Sequence, residues 1–422
     1  MANLNRHLCY LSSPKQHYHP CSIDDKNFAS CTGIDDNCVV ISTNSLHSIR
    51  LFYAAYFASM GLLLPYFPVY LKHLGLNELW VGILVAILAA AKIFSPPLAG
   101  LLIERYQLNT RRFLWLTACL STIAAAALLL NLSLTWMMLS VFLFGLLWAS
   151  ILPLTDGVSL IVAEVSMIHY GRLRVWGSLG FVLASLLGGW YMVGENITHF
   201  PWILCALLCV ATFAAIGFPN LNDLKHHPSQ QQPSKRNPQA LKWLLFTGFC
   251  MQASHGAYYG FFSLYMLDAG YSGSEIGLFW MLGVLAEIIL MWYWSKPIQQ
   301  VSPVWLLGLC LLLAALRWLG LALTTSMFAI ILLQLLHAAS FAAFHIAAVA
   351  WVRNFAGQSR QTSAQGWYSA IGFGLGSTLG ILLCAYIVQH YGYAQAFLTC
   401  AGFALLGFSG IWQLQRATRS KT

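Results

Sequence analysis

The chain falls into apolar runs of about 20 residues, the length that crosses the hydrocarbon core of a bilayer as one helix. Twelve spans can be drawn between polar, glycine- or proline-containing breaks: 49–71, 79–103, 113–131, 134–162, 174–194, 200–218, 241–267, 274–295, 303–323, 326–351, 363–388 and 393–414. A soluble alternative fails on charge, because 8% charged residues against 59% hydrophobic ones cannot cover the surface of 422 residues folded in water. The predicted class is therefore an all-α polytopic membrane protein. Residues 1–48 are largely polar and lack an apolar signal core, so they read as a disordered cytoplasmic arm with no cleavable signal.

An even number of spans places both ends of the chain on one side. The basic residues choose that side: of the 20 Lys and Arg outside the deep membrane, 19 fall in the arm, the even-numbered connections and the tail, and only Lys72 falls opposite. By the positive-inside rule both termini are expected in the cytoplasm, with the protein in the cytoplasmic (inner) membrane. The net charge of +9 is then a topology signal, and nucleic acid is not an expected partner. Eleven cysteines form no CxxC pairs; seven lie in spans and Cys9, Cys21, Cys31 and Cys38 lie in the arm, so neither a disulfide framework nor a metal site is expected.

The longest internal connection, within residues 219–240, is polar and proline-rich and reads as a linker between a six-span half (49–218) and a second half (241–414), with a basic tail at 415–422. An internal repeat supports the division. Shifted by 195 positions, Ala58, Ser59, Gly61, Phe67, Tyr70, Gly75, Gly82 and Ala91 meet Ala253, Ser254, Gly256, Phe262, Tyr265, Gly270, Gly277 and Ala286. A shift of 192 brings Gly180, Phe181, Ser185 and Gly188 onto Gly372, Phe373, Ser377 and Gly380. Two halves repeated in one direction, with a site between them near the midplane, is a transporter architecture.

Ionisable groups inside spans are costly and mark function unless they are packing pairs. They are Lys92, Asp156, Arg174, Glu287, Arg317 and the histidines His255, His337 and His345. Lys92 lies 13 residues into its span, about 20 Å along the axis, too deep to reach water easily. The repeat sets it opposite Glu287, so both are expected to face a central cavity. With the histidines neutral, Lys92, Arg174 and Arg317 outnumber Asp156 and Glu287 by one, a balance that an anionic substrate would complete. His337 and His345 stand eight residues apart on one helix, about 12 Å, and cannot share a metal ion.

Four stretches stand out as motifs: Gly61-x3-Pro65-Tyr66-Phe67-Pro68, Pro97-Leu98-x-Gly100-Leu101-Leu102-x-Glu104-Arg105, Tyr170-Gly171-Arg172-Leu173-Arg174-Val175-Trp176-Gly177-Ser178 and Gln252-x2-His255-Gly256-Ala257-Tyr258-Tyr259-Gly260. Over about residues 43–415 they resemble the major facilitator superfamily, and within it the oligosaccharide/proton symporters and the similar 3-phenylpropionate transporters. Asp156 stands 18 residues before Arg174, and Arg317 stands 20 before His337. Both spacings are similar to those in lactose permeases, where such residues hold sugar hydroxyls and couple protons. Two positions depart from that pattern: Gln334 and Ser340 replace a lysine and the proton-bearing glutamate. Phe181 replaces a ring-stacking tryptophan, which moves the reading from a sugar towards an aromatic acid.

The resemblance implies the major facilitator fold and a proton-coupled symporter of a small organic anion, most simply 3-phenylpropionate, driven by the proton gradient without a cofactor and acting as a monomer. It implies substrate contacts at Lys92, Asp156, Arg174, Phe181 and His255, and proton coupling at Glu287, Arg317, His337 and His345. The rival readings are a proton-coupled sugar or nucleoside symporter, a multidrug antiporter and a membrane sensor. An intramembrane enzyme is disfavoured, since neither His-Glu-x-x-His nor Gly-x-Ser-x-Gly occurs.

Overall fold

The computed structural model describes residues 41–130, 132–220 and 238–419. Most of the predicted arm (1–40), most of the linker (221–237) and the end of the tail (420–422) lie outside the described residues. The rest is almost entirely helical, and among the described residues 11 helices are long and apolar enough to cross a membrane. The first half comprises α1 (Thr43–His73), α2 (Glu78–Tyr106), α3 (Thr110–Ala126), α4 (Leu134–Val165), α5 (Gly171–Met192) and α6 (Phe200–Ile216). The second comprises α7 (Pro238–Ala253), α8 (Gly256–Asp268), α9 (Gly273–Gln300), α10 (Pro303–Leu323), α11 (Met327–Leu335), α12 (Phe344–Tyr368), α13 (Ser377–Tyr391) and α14 (Tyr393–Arg419).

Several boundaries differ from the sequence expectation, each for a local reason. The first helix starts at Thr43, inside the predicted arm, because Ser42 caps it by accepting a hydrogen bond from the Ser45 amide at 3.1 Å. The last helix runs through much of the predicted tail to Arg419. Residues 352–362, drawn as a connection, continue α12 as helix. The predicted span 241–267 is two helices, α7 and α8, broken at Ser254 and His255. There the Met251 carbonyl is taken by the Ser254 hydroxyl (2.6 Å) and by His255 Nδ1 (2.8 Å), while the His255 amide turns to Gln252 instead (3.1 Å). Side chains that satisfy a helical carbonyl compete with the helix itself. Two short π-helical segments, Ala338–Ala343 and Ser369–Gly376, widen the helices on either side of α12.

The repeat is visible in backbone and side-chain detail. Gly75 and Gly270, related by the shift of 195, end α1 and α8 with φ of +83° and +87°, a left-handed turn that favours glycine. Ser59 and Ser254 each bond the carbonyl three residues back at 2.6 Å. Tyr70 and Tyr265 each donate to a carbonyl at the far end of another helical segment in their own half, Leu128 and Leu321, at 3.2 and 3.1 Å. The second register differs from the expectation. Gly180 packs on the Ala54 carbonyl as Gly376 packs on that of Phe249, which relates α5 to its counterpart by 196 (180 to 376), one helical turn from 192.

Between the halves, α5 packs against α9 and α2 against α13. The tight contacts gather at the end where α1 gives way to α2. There Gly189 meets the Gly273 carbonyl and Gly277 the Ser185 carbonyl; Tyr66 hydrogen-bonds that same Ser185 oxygen, and the Leu79 amide reaches Gln389 at 3.4 Å. The repeat glycines Gly82 and Gly277 perform matching roles, one under Ala385 of α13 and the other under α5. A Cβ on Gly82 would stand 2.2 Å from that of Ala385, and one on Gly277 would stand 2.4 Å from the Ser185 oxygen. Overpacking of this kind costs about 1–3 kcal/mol, enough to move a two-state equilibrium by about tenfold or more. Gly82→Val is therefore expected to open this end: a cysteine introduced at Gln389 should react about tenfold faster with a membrane-impermeant thiol reagent, and unchanged reactivity would show that the contact does not hold the end closed.

Candidate functional site

The first half contributes an ion pair with an aromatic wall. Asp156 of α4 accepts from the hydroxyls of Tyr53 (2.6 Å) and Tyr170 (2.9 Å), and Arg174 Nε lies 3.8 Å from the same carboxylate oxygen. The guanidinium stacks on Phe57 at 4.0 Å and lies 5.4 Å from the Tyr53 ring. Both charged side chains remain about a third exposed, at 31% and 32%. The rings and carboxylate fix the direction of the arginine, and its terminal nitrogens donate to nothing among the described residues, leaving a fork suited to a carboxylate.

The second half contributes a buried chain of charge. Arg317 of α10 is fully buried. It donates to Gln334 (2.7 Å), to His337 Nδ1 (2.8 Å) and to Ser340 (3.3 Å), and it packs between the rings of Tyr258 (4.4 Å) and Trp318 (4.3 Å). His337 Nε2 stands 2.8 Å from Glu287 Oε1. Arginine can only donate, so His337 Nδ1 accepts, and the ring proton sits on Nε2 and points at Glu287. A neutral imidazole thus bridges cation and carboxylate. Gln334 also donates to the Phe279 carbonyl (2.8 Å) and to Tyr258 (3.3 Å), so each of its polar atoms is engaged.

The packing of α5 on α9 brings the two groups into register. Each step back along α5 from Gly189 to Ser185 matches a step forward along α9 from Gly273 to Gly277. Carried on, this antiparallel register sets Arg174 level with Glu287 and Ile288. Arg317 thus answers Glu287 through His337 from within the second half, and this register brings Arg174 of the first half to the same level.

The remaining sequence candidates lie outside this pair of clusters. Lys92 is half-buried and, among the described residues, makes no hydrogen bond or ion pair, so it does not pair with Glu287. Phe181 is buried, and its backbone lies against Gly61 of α1. His345 sits away from the Arg317 chain, beside the rings of Tyr368 (5.9 Å) and Phe373 (5.5 Å). His255 is buried between Tyr259, Trp318, His337 and Phe341. Tyr53, Phe57 and Tyr170 escaped the sequence reading because tyrosines and phenylalanines are common throughout the spans. Tyr53 and Phe57 are four apart on α1, a spacing that sets both on one face.

Residues 46–399 match the sequence model of the MFS_1-like family. A "Probable 3-phenylpropionic acid transporter" of Escherichia coli is 28% identical over 361 residues, covering 82% of this chain and 92% of the relative. A maltose permease of Geobacillus stearothermophilus is 24% identical over 379 residues, covering 88% and 94%. Among solved structures, a mutant of the nucleoside transporter NupG superposes with a TM-score of 0.77 at 15% identity, covering 87% of this chain and 99% of that one.

Removing one partner of a buried ion pair costs about 3–5 kcal/mol, because the other charge is left uncompensated. Arg317→Met should accordingly lower the melting temperature sharply in detergent, and adding Glu287→Gln should restore a large part of the loss. Equal melting of the single and double variants would show that the two charges are not coupled through His337.

Proposed function

This chain belongs to the MFS_1-like family of major facilitator transporters, and we propose that within it the protein is a proton-coupled symporter that takes up a small aromatic carboxylic acid such as 3-phenylpropionate. The observation that carries the reading is the placement of the exposed Asp156–Arg174 pair opposite the sealed Arg317–His337–Glu287 chain. The similarity to the Escherichia coli protein, named for an aromatic acid, supports the substrate class. In this reading twelve crossings form two six-helix halves with both termini in the cytoplasm. The closed end at Gly82, Gly189 and Gly277 then faces outward, and the structure is an inward-facing state.

The substrate carboxylate meets Arg174, which Tyr53, Tyr170 and Asp156 hold in place, with Lys92 as the second cation available to it. Glu287 carries the proton. A carboxylate on Arg174 cancels the charge that bears on Glu287 from the other half and so favours its protonated, neutral form. Substrate and proton therefore bind cooperatively. The carrier reorients when both are bound or both are absent, and that restriction couples uptake to the proton gradient.

The decisive measurement is uptake into proteoliposomes, with labelled aromatic acids, sugars and nucleosides competing in one panel. Aromatic acids should be carried uphill when an inward proton gradient is imposed; a preference for sugars or nucleosides would overturn the substrate class. Glu287→Gln should abolish uphill accumulation while substrate exchange across the membrane persists, and unimpaired accumulation would sink Glu287 as the coupling residue. Lys92→Ala should weaken competition by the acid about 10–100-fold, the range for a hydrogen bond to a charged group, and leave competition by its neutral amide much less affected. Equal losses for acid and amide would make Lys92 a packing residue.

A further inference from the structure

The second half holds another polar cluster, a pocket in the sense of its unpaired atoms, that adjoins the chain on Arg317: the rings of His255 and Phe341 lie 5.9 and 5.5 Å from that of His337. Gln252 and His255 flank the break between α7 and α8, His345 projects from α12, and Tyr368 ends α12 where the π segment Ser369–Gly376 begins. Rings join them into one group. Phe373 lies 5.5 Å from His345, 6.1 Å from Tyr368 and 6.0 Å from Phe341, and Phe341 lies 6.3 Å from His255. Gln252 lies over Gly372 and Gly376, where a Cβ would come within 3.6 and 3.3 Å of its side chain.

Four polar atoms in this group are buried with no hydrogen-bond partner: Gln252 Oε1, His255 Nε2, His345 Nδ1 and the Tyr368 hydroxyl, out of ten such atoms among the described residues. Buried polar atoms are nearly always paired, so this concentration marks a place for a polar guest. His255 defines what the guest must offer. Its Nδ1 faces the Met251 carbonyl at 2.8 Å, which can only accept, so that nitrogen holds the proton and Nε2 is a bare acceptor. The guest must donate a hydrogen bond. Tyr368 and His345 can donate or accept in return, and no charged side chain belongs to the group, which suits a hydroxyl better than an anion.

The pocket is also the right kind of surface for a ring. Gln252, His255 and Tyr368 are almost fully buried at 2%, 0% and 2%, whereas Phe341, Phe373 and His345 are partly exposed, giving a polar floor behind an aromatic rim. The Ser369–Gly376 segment packs against α2, with Gly374 against Ile93, so the unpartnered Lys92 stands on the helix beside that rim. π-helical turns recur at functional sites because the extra residue widens the helix and redirects side chains.

We propose that this pocket is the ring subsite of the transporter and that it selects hydroxylated aryl carboxylic acids, the ring lying against Phe341 and Phe373 and its hydroxyl donating to His255 Nε2. The proposal rests on the aromatic-acid reading above and narrows it. Gln252 and Tyr368 complete the hydroxyl's partners, and the carboxylate points away towards the cations of the cleft.

The test is inhibition of labelled 3-phenylpropionate uptake in proteoliposomes by 3-phenylpropionate and by its ring-hydroxylated analogues. At least one hydroxylated analogue should compete about tenfold better than the unsubstituted acid, the gain expected from pairing a buried, unpaired acceptor. Tyr368→Phe and Gln252→Leu, both close in shape to the original, should each shrink that ratio severalfold, the ratio being taken within each variant so that any change in uptake of the unsubstituted acid divides out. Uptake of 3-phenylpropionate with no preference for any hydroxylated analogue, or a ratio unmoved by both variants, would overturn the subsite and leave the aromatic-acid reading standing. Failure to carry any aromatic acid would overturn both.

Discussion

A guanidinium with no exposed surface, Arg317, sets the conditions under which the rest of the second half can fold. An ion of this kind is tolerated inside a bilayer only if its charge is answered and most of its donors are used. Gln334, His337 and Ser340 take protons from its two terminal nitrogens, Nε keeping no partner among the described residues, the rings of Tyr258 and Trp318 cover its faces, and Glu287 answers the charge through the imidazole of His337. Those partners come from α8, α9, α10, α11 and the π segment Ala338–Ala343, so one side chain fixes the mutual placement of most of the half. It also fixes the His337 tautomer, and with it the direction from which Glu287 is approached.

Glycine does for the backbone what Arg317 does for charge. Inside a membrane there is no hydrophobic driving force between helices, and close approach through small residues replaces it. Gly61, Gly180 and Gly188 seat α1 on α5, and Gly256, Gly376 and Gly380 seat the broken α7–α8 pair on α13. The same device recurs between the halves at Gly82, Gly189 and Gly277 near one end, and at Gly374 against Ile93 further along α2. Permanent contacts thus lie within each half, and the contacts that must part for the other end to close are few and built from backbone carbonyls and small side chains. Rocking of one half on the other asks for no disruption of either core.

The helical membrane architecture could be read from hydropathy because the bilayer forces every crossing to be a helix of similar length. The repeat was readable for a related reason: left-handed turns at Gly75 and Gly270 and close contacts at Gly82 and Gly277 admit almost no other residue. Where side chains compete with the helix, periodicity is blind. The break at Ser254 and His255 depends on two side chains sharing one carbonyl, and the π segments leave a continuous apolar pattern, which is why the register of α13 shifted by a turn. The site was half legible. Charge in the wrong solvent exposed Asp156, Arg174, Glu287, Arg317 and His337, all of which the fold groups into the two clusters. Tyr53, Phe57, Tyr170, Gln334 and Ser340 act through geometry that no single-residue signal carries, and two of these had been noted only as departures from a lactose-permease pattern.

Those two departures have a physical consequence. With Gln334 and Ser340 neutral, Arg317 keeps one anionic partner, Glu287, reached through His337, and no second carboxylate competes for the proton. In the proposed scheme, Glu287 on the sealed side and Arg174 on the cleft side, with Lys92 as a second cation, reduce coupling to one electrostatic exchange across the interface of α5 and α9. The substrate's negative charge would join that of Asp156 at Arg174, and a proton would take up the charge of Glu287. A neutral ligand bound in the same cleft would leave the Asp156–Arg174 pair and Glu287 as they stand in the empty site and, in this scheme, supply no such exchange. In this proposal the charge of the substrate is a working part of the coupling as well as a label for recognition, because the residues that suit an anion are those through which the proton would be coupled.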